Sequence, residues 1–411
     1  MNFFYLICHM ITWAVFIYFA ANTLYLFVMA LFGRLTKARK YKMQSEKHQI
    51  AVLIPSFRED HVIVDTSLKT REHDYPGSRF TVTVIADKLK PETMQKLQQI
   101  PVNVLEVNLG MKSRSLHAAL ESPGIRDSEI VMILDADNIM APGCLEKVNA
   151  AFHAGIRAMQ CHRTAKNKNS EVALLDAMSE EINTNLFRRG PALAGLSATP
   201  NGSGMAFDTT LIREIFSSRE ILDNPGEDRE IDMQLIQRKI KMEFLDDALI
   251  LDEKVSTAGV FEKQRIRWLE AQVNHVRRFF DGDMKKAQKT VVFINKFFQN
   301  LLLPRVLTLV VFSIIIVILF IQHYFHIPLI RPSFAVWLSM MGLYVLTLLI
   351  SIPGIFFRTK TLWALSRLPL LMYAMMRAVL QMKKKRREFI HTPKSFVSEE
   401  TKSTKPDKEV W

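Results

Sequence analysis

"SEIVMILDADNIMAPG", residues 128–143, decides how this chain is read. The run from Ile130 to Leu134 is apolar at every position, the pattern of a strand buried on both faces of a sheet. It stops at Asp135-Ala136-Asp137. Two carboxylates at a strand end either close a turn or hold something, because neighbouring anions repel unless a cation lies beside them. Helix signals resume only at Pro142, several residues later. Hard oxygen donors suit a divalent ion, Mg²⁺ or Mn²⁺, which takes one or two carboxylates and completes its shell with substrate phosphates. A nucleotide diphosphate is the natural third party.

Around this stretch, short oily runs alternate with helical patterns. "IAVLIPSF" (50–57), "RFTVTVIAD" (79–87) and "VNVLEV" (102–107) read as further strands. "MKSRSLHAALES" (111–122) reads as a helix with Leu116, Ala119 and Leu120 on one face, and residues 142–155 as another. The pattern predicts an α/β fold, a mostly parallel sheet with flanking helices. Ligands of such sheets bind beyond the carboxyl ends of the strands, the edge that carries Asp87, Asp135 and Asp137. No internal repeat is found.

Both ends of the chain are apolar. Residues 1–32 carry no charge and exceed the ~20 residues of a spanning helix. Arg34, Lys37, Arg39, Lys40 and Lys42 follow, so the positive-inside rule places the middle of the chain in the cytosol. Residues 301–324 and 333–357 predict a membrane hairpin that returns to the cytosol. Residues 361–382 are interrupted by Arg367, Pro369 and Arg377, and precede a basic cluster at 383–387. They read as an interfacial or re-entrant segment, or as a third C-terminal membrane helix.

The expected organisation is a transmembrane signal anchor (1–33), a cytosolic catalytic domain (48–283) and an interfacial amphipathic helix (284–300). Two transmembrane helices (301–357), the 361–382 segment and a basic cytosolic tail (383–411), disordered at its end, complete it. The chain reads as an integral protein of the inner (plasma) membrane. The net charge of +13 is carried largely by membrane flanks, where anionic lipid attracts Lys and Arg, and no nucleic-acid motif accompanies it. Three scattered cysteines show no metal spacing and suit reduced thiols.

Further motifs stand in order along the chain: "IPSFRED" (54–60), "VIADK" (84–88), "LGMKSRSLHAAL" (109–120), "DAD" (135–137), "NGSGMAF" (201–207), "GEDREID" (226–232), "QRIRW" (264–268) and "FIHTPK" (389–394). The series resembles the family 2 glycosyltransferases of the GT-A fold. Within them it is similar to the membrane-embedded, processive synthases of cellulose, hyaluronan, chitin oligosaccharide and poly-N-acetylglucosamine. The resemblance runs from Ile50 to the last membrane segments. It departs at Ser56-Phe57-Arg58-Glu59, where the family usually carries Asn and Glu, and at Ala86-Asp87, where two Asp are usual.

The resemblance implies an inverting, metal-dependent transfer of sugar from a UDP-sugar to a growing polysaccharide. Asp137 would be the metal ligand, with Asp135 near the ribose or the ion. Asp87 would contact the base, though an Asp at a strand end also closes turns. Lys112 would bind the donor or stand solvated on its helix. Asp228 would be the general base and Glu227 its orienting neighbour; acids are also favoured in a helix's first turn. Gly202 and Gly204 would let backbone approach the acceptor, or mark a tight turn.

Gln264, Arg267 and Trp268 share a helix face, where Arg can grip a diphosphate and an indole can stack on a sugar. A Trp on such a helix also suits the membrane interface. "EDR" at 227–229 resembles members that handle N-acetylglucosamine. Two other functions fit the same residues: addition of a single sugar to a lipid or glycolipid acceptor, and a non-catalytic membrane scaffold or export partner. Expected partners are a UDP-sugar, a polysaccharide or lipid-linked acceptor, membrane lipids and export proteins, with no nucleic acid.

Overall fold

Along the first strand, β1 (Ile50–Phe57), side chains alternate between two apolar clusters. Ile50, Val52 and Ile54 enter one with Phe80, Val84 and Met132; Ala51 and Leu53 enter the other with Leu116, Ala119 and Val131. With both faces covered there is no polar side, which is why the run is unbroken. The computed structural model describes residues 3–166, 170–222, 224, 226–253, 272, 275–280, 284, 290–326, 330–357, 363, 366, 369–370, 372–373 and 376–377.

Three strands lie parallel in the same half of the sheet: β2 (Phe80–Asp87) beside β1, β3 (Asn103–Val107) beside β2, and β4 (Ile130–Ile133) on the far side of β1. The helix predicted over 111–122 is Lys112–Leu120, with Leu116, Ala119 and Leu120 fully buried against this half. The helix predicted over 142–155 is Cys144–His153.

The other half is mixed. Here β5 is the two-residue strand Ile139–Met140, β6 is Ala158–Ala165, β7 is Met205–Asp208 and β8 is Glu243–Asp252. β7 runs antiparallel to both β4 and β6, β8 runs parallel to β6, and β5 runs antiparallel to β8. The strand order is β3-β2-β1-β4-β7-β6-β8-β5. This direction switch positions the site. Because β7 is antiparallel, its start meets the end of β4, with Met205 opposite Ile133. The residues before β7, Asn201 to Gly204, therefore stand beside Asp135.

Among the described residues, three helices are long and apolar enough to cross a membrane: Tyr5–Leu35 within the N-terminal helix Phe3–Leu35, Arg305–Phe325, and Phe334–Ser351. Aromatic rings join them, with Phe19 edge-on to Phe312 at 5.1 Å and Phe16 edge-on to Trp337 at 5.1 Å. The N-terminal helix also docks on the sheet domain. A Cβ at Gly190 would collide with the Met29 backbone, so only glycine allows that approach. Buried Asn185 then donates to Ala30 O (3.3 Å) and Ser351 Oγ (3.1 Å), linking the N-terminal helix to the last of the three.

Candidate active site

Lys112 is the hub of the edge where β4 ends. It is the first residue of its helix, which starts after the turn at Gly110, where φ is +64°. That turn is held by Asp87 at the end of β2. Asp87 Oδ2 accepts from Gly110 N (2.6 Å), Leu109 N (3.3 Å) and Ser115 Oγ (3.3 Å). Asp87 Oδ1 has no hydrogen-bond partner among the described residues.

From this start the Lys112 ammonium reaches three acceptors: Asp135 Oδ1 at 2.7 Å, Glu227 Oε1 at 2.8 Å and Gly202 O at 2.8 Å. Burial disfavours its charge, but the Asp135 and Glu227 carboxylates outweigh burial and hold it well above the ordinary lysine range. Glu227 is pushed up by burial and by the charge of Asp228, with Lys112 offsetting part of the rise.

Asp228 adjoins this hub. Glu227 and Asp228 open the helix Glu227–Gln237, where the first-turn N–H groups and the helix dipole favour carboxylates. Asp228 Oδ1 accepts from Arg229 N at 2.8 Å. A Cβ built on Gly202, where φ is +85°, would lie 3.8 Å from Asp228 Oδ2 and 3.9 Å from Lys112 Nζ. A larger residue there would be strained and would fill the space between them. Gly204 is required differently: at φ +64° its Cβ would sit 2.6 Å from Ile250 Cγ1. Sequence-predicted residues from four separate segments thus converge: Lys112, Asp135, Gly202 with Gly204, and Glu227 with Asp228.

The two aspartates of the Asp-x-Asp pair have different environments. The Asp135 side chain is 28% exposed, whereas Asp137 is 2% exposed and accepts from Asn138 Nδ2 at 3.2 Å. Below them runs a polar chain with no sequence signal. Asp135 N donates to Ser203 Oγ (3.0 Å), Ser203 Oγ donates to Asn138 Oδ1 (2.5 Å), and Asn138 Nδ2 donates to Asp252 Oδ1 (2.8 Å). Two arginines hold the loop before β7 by its carbonyls: buried Arg188 by Nε on Thr199 O at 3.1 Å, and partly buried Arg163 by Nη1 on Asn201 O at 3.4 Å. Both pair with Glu180, at 3.4 Å from Arg163 and 3.5 Å from Arg188. Arg163 is kept well above the ordinary arginine range: burial opposes its charge, and Glu180 and Asp252 overcome that opposition.

The donor set fits a hard divalent cation. Asp135, Asp137, Glu227 and Asp228 outnumber the Lys112 ammonium and supply only oxygen. Among the described residues no three His, Cys, Asp or Glu side chains gather as a ready-made metal cage. An ion here would need phosphate oxygens and water to complete its shell. Gln264, Arg267, Trp268 and the 389–394 motif lie outside the described residues.

Comparisons with known proteins bear on the family and the fold. The family model described as "Glycosyltransferase like family 2" matches residues 48–271. Among solved structures, the mannosyltransferase PcManGT from Pyrobaculum calidifontis, in complex with GDP-Man and Mn²⁺, is similar at TM-score 0.57 and 16% identity. That match covers 89% of this chain and 95% of PcManGT. S. aureus TarS matches more loosely, at TM-score 0.38 and 16% identity over 64% of this chain and 52% of TarS. No curated protein sequence matches. A family match over more than half of the chain, on a GT-A-like mixed sheet, places the protein among the glycosyltransferase-like family 2 enzymes, which transfer hexosyl groups.

Proposed function

We propose that this enzyme moves a sugar from a UDP-sugar to a growing polysaccharide at the cytoplasmic face of the membrane, with inversion at the anomeric carbon. The carrying observation is the convergence of Lys112, Asp135, Glu227 and Asp228 around Gly202 at the strand edge. A carboxylate beside an open glycine, near a cation and the Asp-x-Asp pair, suits a reaction in which one group takes a proton while others bear leaving-group charge.

Asp228 accepts the proton of the acceptor hydroxyl as its oxygen bonds to the anomeric carbon. The bond from that carbon to the diphosphate breaks, and the nucleoside diphosphate leaves from the opposite face. Asp228 suits this part because backbone N–H holds one oxygen while the other lies toward Gly202. Lys112 sets Glu227 and Asp135 in place. Asp137 and Asp135 would hold a divalent ion, which when bound neutralises the diphosphate as a Lewis acid. Asp87 is assigned to the base, Gly204 to the acceptor side with Gly202, and Gln264, Arg267 and Trp268 to the diphosphate and the acceptor end.

Residues 1–33 and 301–357 are assigned to the membrane, 48–283 to the cytosolic catalytic domain and 284–300 to the interface. The helix found there, Val291–Leu301, supports that seat, since Val291 and Ile294 on it are 71% and 57% exposed. Transfer of one sugar to a lipid-linked acceptor uses the same residues, and product length separates the two outcomes. A donor screen tests the reading: purified enzyme, several UDP-sugars and GDP-mannose, with nucleoside diphosphate release measured with Mg²⁺ or Mn²⁺ and with chelator. Chelator-sensitive release from a UDP-sugar, with a product ladder, is expected. No chelator-sensitive release from any donor would favour a non-catalytic scaffold.

A further inference from the structure

Lys296 lies on the apolar helix Val291–Leu301 yet is 1% exposed. A lysine beside a bilayer ordinarily extends its ammonium to water. This one points inward and donates to Asp232 Oδ2 (2.9 Å), Thr199 Oγ1 (2.9 Å) and Ala198 O (2.8 Å). A buried ammonium has three protons to satisfy, and each of these contacts satisfies one.

The three acceptors belong to the two walls of the candidate site. Asp232 is one turn beyond Asp228 on the helix Glu227–Gln237. Ala198 and Thr199 begin the loop that leads to Asn201 and Gly202. Apolar packing adds to the tie, because Phe293 and Phe297 of the Lys296 helix pack against the cluster that holds Met233 and Ile236 of the Glu227 helix together with Phe279, whose ring lies 5.6 and 5.4 Å from theirs.

On its other side the Lys296 helix is bound to the N-terminal helix. The Tyr25 hydroxyl donates to Asn295 Oδ1 (2.8 Å) and accepts from Gln299 Nε2 (2.9 Å). Gln299 Oε1 in turn accepts from Thr199 Oγ1 (3.1 Å). Tyr18 donates to Leu301 O (2.6 Å), and the Tyr25 ring meets Phe298 edge-on at 5.0 Å.

We propose that Lys296 is a positioning residue that couples membrane seating to catalysis. Through Asp232 and Thr199 it sets the Asp228 helix and the Gly202 loop relative to each other, and through Asn295, Gln299 and Tyr25 it refers both to the N-terminal helix. The proposal rests on the reading of Asp228 as the base. It predicts that loosening this tie spares donor binding and slows the chemical step, since a misplacement of about 1 Å can cost a reaction about 10²-fold.

The test uses the full chain in lipid nanodiscs, as wild type, Lys296→Met and Tyr25→Phe. Tyr25→Phe removes one hydroxyl with almost no change in packing, so it serves where Lys296→Met does not fold. Amide hydrogen exchange is followed at 227–237, with β1 and β4 as internal references, and kcat and donor KM are measured in parallel. Expected are faster exchange at 227–237 by roughly tenfold in Lys296→Met and a few-fold in Tyr25→Phe, unchanged references, and kcat reduced about 10–100-fold at nearly constant KM in Lys296→Met. Unchanged exchange at 227–237, equal acceleration in β1 and β4, or a loss confined to KM would overturn the proposal. If the wild type turns over no donor, the functional reading fails, and the exchange data alone still decide whether the tie exists.

Discussion

Replacing Lys112 with Met tests whether the site is built around one cation. The thioether side chain keeps most of the lysine stem and removes the ammonium. Glu227 is buried and loses its ion pair with Lys112, the situation in which breaking a buried pair costs about 3–5 kcal/mol. Asp135 is more than a quarter exposed, so its share stays near the surface value of about 0–1 kcal/mol. Protonation of Glu227 relieves part of the penalty, leaving a loss of about 3 kcal/mol at pH 7. At about 2–4 °C per kcal/mol for a domain of this size, melting should fall by roughly 6–12 °C.

The pH dependence has a definite sign. Glu227 already titrates above its ordinary value because it is buried, and loss of Lys112 moves it further up. A carboxyl whose folded pKa is raised binds more protons folded than unfolded, so its contribution to stability falls as pH rises from the unfolded value through the folded one. The gap between variant and wild type should therefore narrow on acidification from pH 7 to pH 5. Scanning fluorimetry at fixed rate in one detergent measures both effects. A variant melting within about 2 °C of wild type at pH 7, or a gap that widens toward pH 5, would mean that Lys112 does not hold the site's carboxylates.

Gly190→Ala should lower stability by about 1–3 kcal/mol through overpacking, because its Cβ would collide with the Met29 backbone and lie 2.8 Å from Asn185 O; the same fluorimetry reads it, and an unchanged melting temperature would contradict the close docking of the N-terminal helix. His162 faces acceptors with both ring nitrogens, Asp246 O at 3.0 Å and Glu181 Oε2 at 3.1 Å. Burial works against its charge, but Glu181 outweighs burial and raises its pKa. The stability it confers is complete below its unfolded pKa of about 6.5 and is lost as pH rises through the folded value, so His162→Gln should flatten the melting profile on the alkaline side. Asp228→Asn should reduce transfer about 10²–10⁴-fold while nucleotide binding by calorimetry stays near wild type; near-normal turnover would remove Asp228 as the base.

The first half of the sheet was readable because β1, β2 and β4 are buried on both faces and so carry long apolar runs. The second half was not. β6 and β8 mix apolar residues with Gln160, Arg163 and Asp252, which bond the loop before β7 or Asn138, and with His162 and Glu243, which pair with Glu181 and Arg39; β5 is too short to leave a pattern. Asp135, Gly202 and Asp228 were visible as residues of suggestive type, but their meeting depends on the antiparallel entry of β7, which the local pattern does not encode. Lys112 read equally well as a solvated helix residue, and only the fold reveals the carboxylates around it. Lys296 falls within the 284–300 stretch read as an interfacial helix, whereas its partner Asp232 is 64 residues away and gives no local signal.

The proposed mechanism requires a nucleotide sugar across the edge between Asp87 and Asp135, with its transferred sugar before Asp228. A structure of the full chain with UDP and Mn²⁺ tests it most directly. Expected are the metal and diphosphate against Asp135 and Asp137, the uracil toward Asp87, and open space between the diphosphate and Asp228 for a sugar. Nucleotide bound elsewhere on the domain, with Asp135 and Asp137 out of contact with both metal and diphosphate, would contradict it.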